Sequence, residues 1–408
     1  MTAALRTIIT PTAIARLLLG WGAFIVLQSM GSLLAPPVPM PLLVTALVVI
    51  IAVILICAFG VVTEAEHLAH RLGDPYGSLV LTISICLIEV ILIAAVLLGP
   101  GDHATIARDS VMAVSMIILG AVVGLCLLIG GLRHGAMVHN RTGVSNYLVM
   151  IAVFAALAFA VPALIGTDGS YKTWQEIPII VITVGAYVFF LYRQTGPQAN
   201  EFTEVVPVGA ASAGASSTAG TTHSSPTEAA GLGESSRPEE ADQVENEPQG
   251  IVEILSTHRV EIIIRLVLLV ATVLPIVLLS HDMATLLDDG LGRLGAPVAL
   301  SGVVIAMIVF LPETLTSLRA AWNGEIQRVS NLCHGAQVST VGLTIPTVLV
   351  IGMLTDQQIM LAESPINLAL LAITLLVSVI GFAAKKVTAV QGAAHIIIFV
   401  VFGLALFA

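Results

Sequence analysis

Charge is what this sequence of 408 residues lacks: Asp, Glu, Lys and Arg make up only 10%, against about 25% in an average soluble domain. Aromatic residues are scarce as well, at 5%. With 57% hydrophobic residues and a mean hydropathy of +1.00, the chain carries more apolar surface than a soluble core of this size could hide. A soluble enzyme is thereby excluded. The four cysteines, Cys57, Cys86, Cys126 and Cys333, all stand inside apolar runs without clustered spacing, which excludes a disulfide-stapled scaffold. Basic residues are in the minority, 16 Lys and Arg against 26 Asp and Glu, for a formal net charge of −10, so nucleic acid is not an expected partner. The class that remains is a polytopic protein whose partner is the lipid bilayer.

A hydrocarbon core of about 30 Å needs about 20 apolar residues per helix. Eleven such runs are present, at 16–35, 41–63, 76–98, 109–131, 145–166, 176–192, 260–280, 297–318, 329–353, 365–383 and 388–407. They are too long and too rich in Leu and Ala for barrel strands, which would alternate at every second residue. The expected fold class is all-α. No small-residue cleavage site follows the first run, so it is retained as a span.

Orientation follows from Lys and Arg in the loops. With the N-terminus on side A, that side holds twelve (Arg6, Arg16, Arg71, Arg133, Arg141, Arg193, Arg237, Arg259, Arg319, Arg328, Lys385 and Lys386), and side B holds three (Arg108, Lys172 and Arg293). Side A is therefore expected to be the cytoplasm, with the C-terminus outside and the protein in the cell's inner membrane. Arg265 falls within a span near side A and is expected to snorkel toward it.

One segment differs in kind. From 194 to 257 the chain turns to Ala, Gly, Ser, Thr, Pro and Glu. Its part up to Gly250 holds nine carboxylates (Glu201, Glu204, Glu228, Glu234, Glu239, Glu240, Asp242, Glu245 and Glu247) against one arginine. Such a composition cannot bury enough apolar area to fold, and it reads as a disordered cytoplasmic linker, with a cation-collecting tail as the sharper alternative. The linker divides the chain. Residues 1–40 carry an extra N-terminal helix, 41–193 hold five spans, and 258–408 hold five more. Five is odd, so the two sets begin on opposite faces, the layout of an inverted repeat in many secondary transporters.

Two glutamates stand deep in this apolar background. Glu89 lies in LTISICLIEVILIAAVLL, and Glu313 follows Pro312 in VVIAMIVFLPETLTSL. A charge at mid-bilayer costs on the order of 3 kcal/mol, which makes each a candidate functional group. The bland readings are a tolerated, protonated carboxyl, and, for Glu313, a glutamate at a helix end. Each is in the second span of its set, and these spans run in opposite directions, so the pair can meet near the midplane. Desolvation and mutual repulsion favour protonated carboxyls, whereas a hard cation favours ionised ones with oxygen ligands. Proton and cation then compete for one site, and a site open to one side at a time converts that competition into antiport. Thr82 and Ser84 near Glu89, and Gln337 and Ser339 in the span after Glu313, are candidates for the rest of the cation shell. Thr344-Ile345-Pro346 reads as a helix break beside them. No cofactor is expected.

The residues around both glutamates resemble a known family. GSLVLTISICLIEVILI (Gly77–Ile93) is similar to the first, and LPETLTSLRAAWNGEIQRVSNLCHGAQVSTVGLTIPTVLV (Leu311–Val350) to the second, alpha-repeat of the calcium/cation antiporter superfamily, in its cation/proton exchanger branch. The resemblance implies alpha motifs at 63–131 and 297–353, and places the essential glutamates at Glu89 and Glu313. Calcium exchangers of that superfamily carry Gly-Asn before each glutamate. Here Ile85-Cys86 and Val309-Phe310 stand there, which implies two missing amide ligands, two missing helix breaks and relaxed calcium selectivity. The implied activity is exchange of protons for calcium, sodium, or potassium.

Weaker signals surround these. Glu64, Glu66, His67 and His70 cluster before the third span, where a cytoplasmic mouth and, for the two histidines, a zinc site are both open readings. Asp282, Asp288 and Asp289 are placed to draw cations to an outer mouth. No phosphate loop, nucleophile elbow or zinc-protease motif is present, so no enzymatic activity is expected. A passive cation channel lined by the same carboxylates is the alternative function, and a membrane scaffold is a third.

Overall fold

A computed structural model of the chain describes residues 10–31, 33–34, 37–72, 86, 90–91, 93–94, 97, 104–203, 251–297 and 299–407. The chain divides into two units, Met1–Val205 with Val260–Ala408, and Val206–Arg259. Of the second unit, only the first residues of one helix are described.

The described chain is almost wholly helical. α1 (Pro11–Ser29) and α2 (Met40–Leu72) come first. After the expected third span, which lies mostly outside the described residues, α3 (Ile106–Met116), a π-helical turn (Ile117–Val122) and α4 (Val123–His134) form one continuous rod. α5 (Arg141–Ala155) continues through a second π-helical turn (Ala156–Ala160) into α6 (Val161–Ile165). α7 (Thr173–Thr195) closes the first set. The second set consists of α8 (Ile251–Arg293), α9 (Ala299–Val309), α10 (Leu311–Asn323), α11 (Ile326–Thr355), α12 (Pro365–Ala383) and α13 (Ala389–Ala405). Among the described residues eight helices are long and apolar enough to cross a membrane, or nine when α9 and α10 count as one bent span. Nine of the eleven expected runs fall on these helices, and a tenth, 388–407, falls on the shorter apolar helix α13.

Unlike a soluble protein, the bundle is apolar on its surface as well as in its core, and buried polar side chains are set within that core. Leu18, Val181, Phe189, Leu376 and Val401 point outward, whereas Ser115, Gln327, Ser330, His334, Gln337, Thr340, Thr344, Thr374, Ser378 and His395 are fully buried. That arrangement suits a hydrocarbon solvent, in which polar side chains must find partners within the bundle. Small residues bring helices together. A Cβ on Gly392 of α13 would stand 2.4 Å from the Leu128 nitrogen and 2.6 Å from the Gly124 carbonyl of α4, so only glycine permits this approach.

The loops form two layers, as the alternation of spans requires. On side A, β1 (Met137–Val138) pairs antiparallel with β2 (Lys386–Val387). The Arg133 guanidinium lies 4.2 Å over the Trp322 ring, and the Asn140 N–H donates to Gln327 Oε1 at 2.8 Å. On side B, the Met360 N–H donates to the Ala104 carbonyl and the Leu361 N–H to that of Gly169. Arg108 lies 2.9 Å from Glu363, and Arg293 donates to the Val38 carbonyl at 2.6 Å.

Three expectations change. The linker is shorter than 194–257. α7 runs to Thr195, a 3-10 turn covers Ala199–Phe202, and α8 starts at Ile251. Phe202 explains the first edge: its ring is buried 5.1 Å from Tyr147 and its carbonyl accepts from Asn331 Nδ2 at 2.5 Å. Residues 204–250 lie outside the described residues. At Pro346, α11 does not break; it is continuous from Ile326 to Thr355. Before Glu313 the break is present, with α9 and α10 bent by 55°. Pro312 accounts for it, because it lacks an N–H and its ring crowds the carbonyl four residues back. Gly-Asn is not needed there.

Candidate cation-exchange site

Glu313 sits in the first turn of α10, directly after the break at Phe310, and is buried with 5% of its surface exposed. The first turn of a helix offers N–H groups without helical acceptors and the positive end of the dipole, both favourable to a carboxylate. The helix end weighed as a bland reading is real, but it lies inside the span, where it serves a buried acid.

The register between α10 and α11 sets what Glu313 faces. Cys333 Sγ of α11 lies 3.5 Å from Ser317 Oγ of α10. The helices run antiparallel across the Gly324 turn, so one turn back from Ser317 and one turn on from Cys333 bring Glu313 and Gln337 to the same level. α11 is polar along this buried length. Gln337 Nε2 donates to Ser115 Oγ of α3 at 2.6 Å, while Gln337 Oε1 has no protein partner among the described residues. Ser339 Oγ accepts from the Tyr187 hydroxyl of α7 at 3.0 Å. Ser330 Oγ and His334 Nδ1 are 2.8 Å apart. Glu313 of α10, Gln337 of α11 and Ser115 of α3 thus bring oxygen atoms to one buried level, a donor set suited to a hard cation, while Ser339 meets Tyr187 of α7 two positions further along α11.

Glu89, Thr82 and Ser84 lie outside the described residues. Cys86, three positions before Glu89, is buried with its thiol 3.6 Å from the Ala336 carbonyl and 3.8 Å from Thr340 Oγ1 of α11. The residue standing at the first Gly-Asn position therefore packs beside Gln337 and Ser339.

The expected mouth cluster lies on α2, which extends to Leu72, and not in a loop. His67 is exposed, and the side chains of Glu66 and His70 lie outside the described residues. Glu64 is buried, with Oε2 2.8 Å from Arg265 Nη1 of α8, while Arg265 Nε lies 3.3 Å from Glu261. Arg265 does not snorkel: it is 9% exposed, because a buried carboxylate 201 residues away holds it. No group of three or more His, Cys, Asp or Glu side chains able to hold a metal is found among the described residues.

Sequence reasoning passed over Ser115 and Tyr187. Ser115 is a single hydroxyl in VMAVSMIILGAVV, and Tyr187 a single phenol in VGAYVFF. Both look like packing residues until α11 is set against them.

Fold and site together define an all-α polytopic membrane protein of the cation antiporter class. The chain belongs to the sodium/calcium exchanger protein family, which it matches over residues 42–196 and 264–408. It is 29% identical over 390 residues to the sodium-potassium/proton antiporter ChaA of Escherichia coli strain K12, covering 95% of this chain and 94% of that one. In fold it is similar to the H+/Ca2+ exchanger CAX, with a TM-score of 0.65 at 13% identity over 96% of this chain and 87% of the other. It is also similar to the sodium-calcium exchanger NCX_Mj, with a TM-score of 0.53 at 14% identity over 89% and 98% of the two chains.

Proposed function

We propose that this membrane antiporter exchanges protons for calcium and sodium, with potassium as a further substrate, at a site formed by Glu89 and Glu313. The observation that carries the reading is the buried Glu313 at the level of Gln337, whose Oε1 lacks a protein partner among the described residues. A carboxylate there either holds a proton or joins a cation's oxygen shell, and the two occupants exclude one another. Two inverted halves, 41–193 and 258–408, would open the site alternately to side A, taken as the cytoplasm, and to side B. Residues 1–40 would add α1, and the acidic linker would tether the halves.

Breadth of substrate follows from the ligands. Cys86 and Phe310 supply no amide oxygen, so fewer fixed ligands hold the ion. Sodium and calcium both accept an irregular oxygen shell, whereas magnesium demands strict octahedral geometry and gives up water reluctantly. Calcium would need both glutamates ionised; sodium would tolerate one proton. Proteoliposomes with a pH-sensitive dye inside, given each chloride salt from pH 6.5 to 9, test this. Sodium and calcium should both move protons, with apparent affinity improving toward alkaline pH, and magnesium should do so least. Dissipation of a sodium gradient without proton movement would favour the channel.

A further inference from the structure

Pro275 stands inside α8. Without an N–H it cannot satisfy the carbonyl four residues back, so the Ala271 oxygen loses its helical donor. Within a bilayer that oxygen has no water to turn to. It is satisfied from α1: the Trp21 indole Nε1–H donates to the Ala271 carbonyl at 3.1 Å, across 250 residues of sequence. The surface of α1 is shaped for this fit. Gly20 is buried beside Trp21, and a Cβ there would stand 3.0 Å from Pro275 Cγ and 3.1 Å from Cys57 Sγ. A larger residue would push α1 off the proline ring.

α1 also grips α2. The Cys57 thiol donates to the Arg16 carbonyl at 3.6 Å. The Arg16 side chain crosses α2 at Gly60, where a Cβ would stand 2.7 Å from its Cδ. Toward side A, Ala13 and Leu17 pack with Ile264 and Leu268, near the level at which Arg265 pairs with Glu64. The first helices of the two halves are therefore joined twice, once by an ion pair and once through α1.

We propose that α1 is a brace on a joint in α8: Trp21 caps the carbonyl that Pro275 leaves open, and so sets how α8 bends as the site changes its exposure. A helix flexes where its hydrogen-bond ladder is interrupted, and a donor from a neighbouring helix decides which bend is favoured. Trp21 acts as a positioning residue, through α8, and does not touch the cation. The transport readout of this inference rests on the exchange proposed above; its unfolding readout does not.

The test is a double-mutant cycle on the full chain, because Pro275→Ala restores an N–H at 275 that can donate to the Ala271 carbonyl. Trp21→Phe keeps the ring and removes the donor. In the Pro275 background, Trp21→Phe should shift the apparent KM for sodium by about threefold or more, as expected when the competent population changes. In the Pro275→Ala background the same change should shift it by less than about 1.5-fold, the signature of two coupled residues. Thermal unfolding in detergent gives a second readout, should either variant transport too slowly to assay. Trp21→Phe should lower Tm in the first background and leave it unchanged in the second. Equal effects of Trp21→Phe in both backgrounds, no effect in either, or a drop in Tm with KM unmoved would each overturn the proposal. A wild-type protein that moves no protons against sodium would instead refute the exchange reading and leave the Tm arm to decide this one.

Discussion

Gln337 of α11 and Ser115 of α3 are joined by a hydrogen bond of 2.6 Å, Nε2 to Oγ, across 222 residues of sequence. The bond commits the amide's nitrogen to Ser115, so the oxygen, without a partner among the described residues, is the atom that would face a cation on the proposed reading. Ser115 in turn donates to the Val111 carbonyl at 2.7 Å, which fixes its hydroxyl as an acceptor toward Gln337. On the proposed reading, the pair would orient a cation ligand at the level of Glu313.

Gln337→Leu, which removes that oxygen at similar volume, should raise the apparent KM for sodium and calcium by at least about tenfold, the effect of about 1.4 kcal/mol of lost binding. Ser115→Ala should raise it less, because the amide remains but is free to turn. Cation-dependent proton flux in proteoliposomes measures both. An unchanged KM in Gln337→Leu would remove the residue from the site.

The Glu64–Arg265 pair at 2.8 Å should behave as a buried ion pair. Arg265→Gln leaves Glu64 buried without its cation and should cost on the order of 3–5 kcal/mol, whereas removing both charges with Glu64→Gln and Arg265→Met should cost far less. Thermal unfolding in detergent reads the difference. Equal losses in the single and double variants would mean that the charges do not depend on one another.

Glu363, in the side B loop before α12, has two opposing influences. Burial pushes its carboxyl above the ordinary range; the Asn367 hydrogen bond and Arg108, 2.9 Å away, pull it down, and burial prevails. A carboxyl raised in the folded state stabilises the fold fully below its unfolded pKa, and that contribution is lost as pH rises through the folded value. Glu363→Gln, which stays neutral, should therefore flatten the fall in Tm from mildly acidic pH upward. The same slope in wild type and variant would assign that fall to other groups.

Topology has its own check. In a background lacking the four native cysteines, Ser216→Cys should label only from the cytoplasmic side and Ala408→Cys only from outside. Deleting 210–247 should leave flux intact, as expected of a tether. Labelling of Ser216→Cys from outside would overturn the span count.

The spans were legible because a bilayer imposes a length and a composition on every helix, and the runs at 365–383 and 329–353 reappear as α12 and α11. Glu313 was legible for the same reason, as a charge where none is cheap. What lay beyond local pattern is pairing between helices. Arg265 near a span end reads as a snorkelling side chain until α2 brings Glu64 to it. Ser115 reads as packing until Gln337 reaches it. Missing Gly-Asn suggested an unbroken helix at Glu313, but the neighbouring Pro312 makes the break by a different route. At Pro346 the reverse holds, since α11 absorbs the proline without parting. A proline states only that one hydrogen bond is gone; the surrounding helices decide whether the chain bends.

The central claim is that proton and cation compete for Glu313 and Glu89. The most direct measurement is cation-driven proton flux in proteoliposomes carrying wild type, Glu313→Gln or Glu89→Gln, with insertion checked for each. The account predicts that sodium or calcium drives proton movement in wild type, and that each glutamine variant, inserted in equal amount, retains less than about a tenth of it, a loss of transition-state stabilisation above roughly 1.4 kcal/mol. Flux near the wild-type level in either variant would contradict the two-carboxylate site.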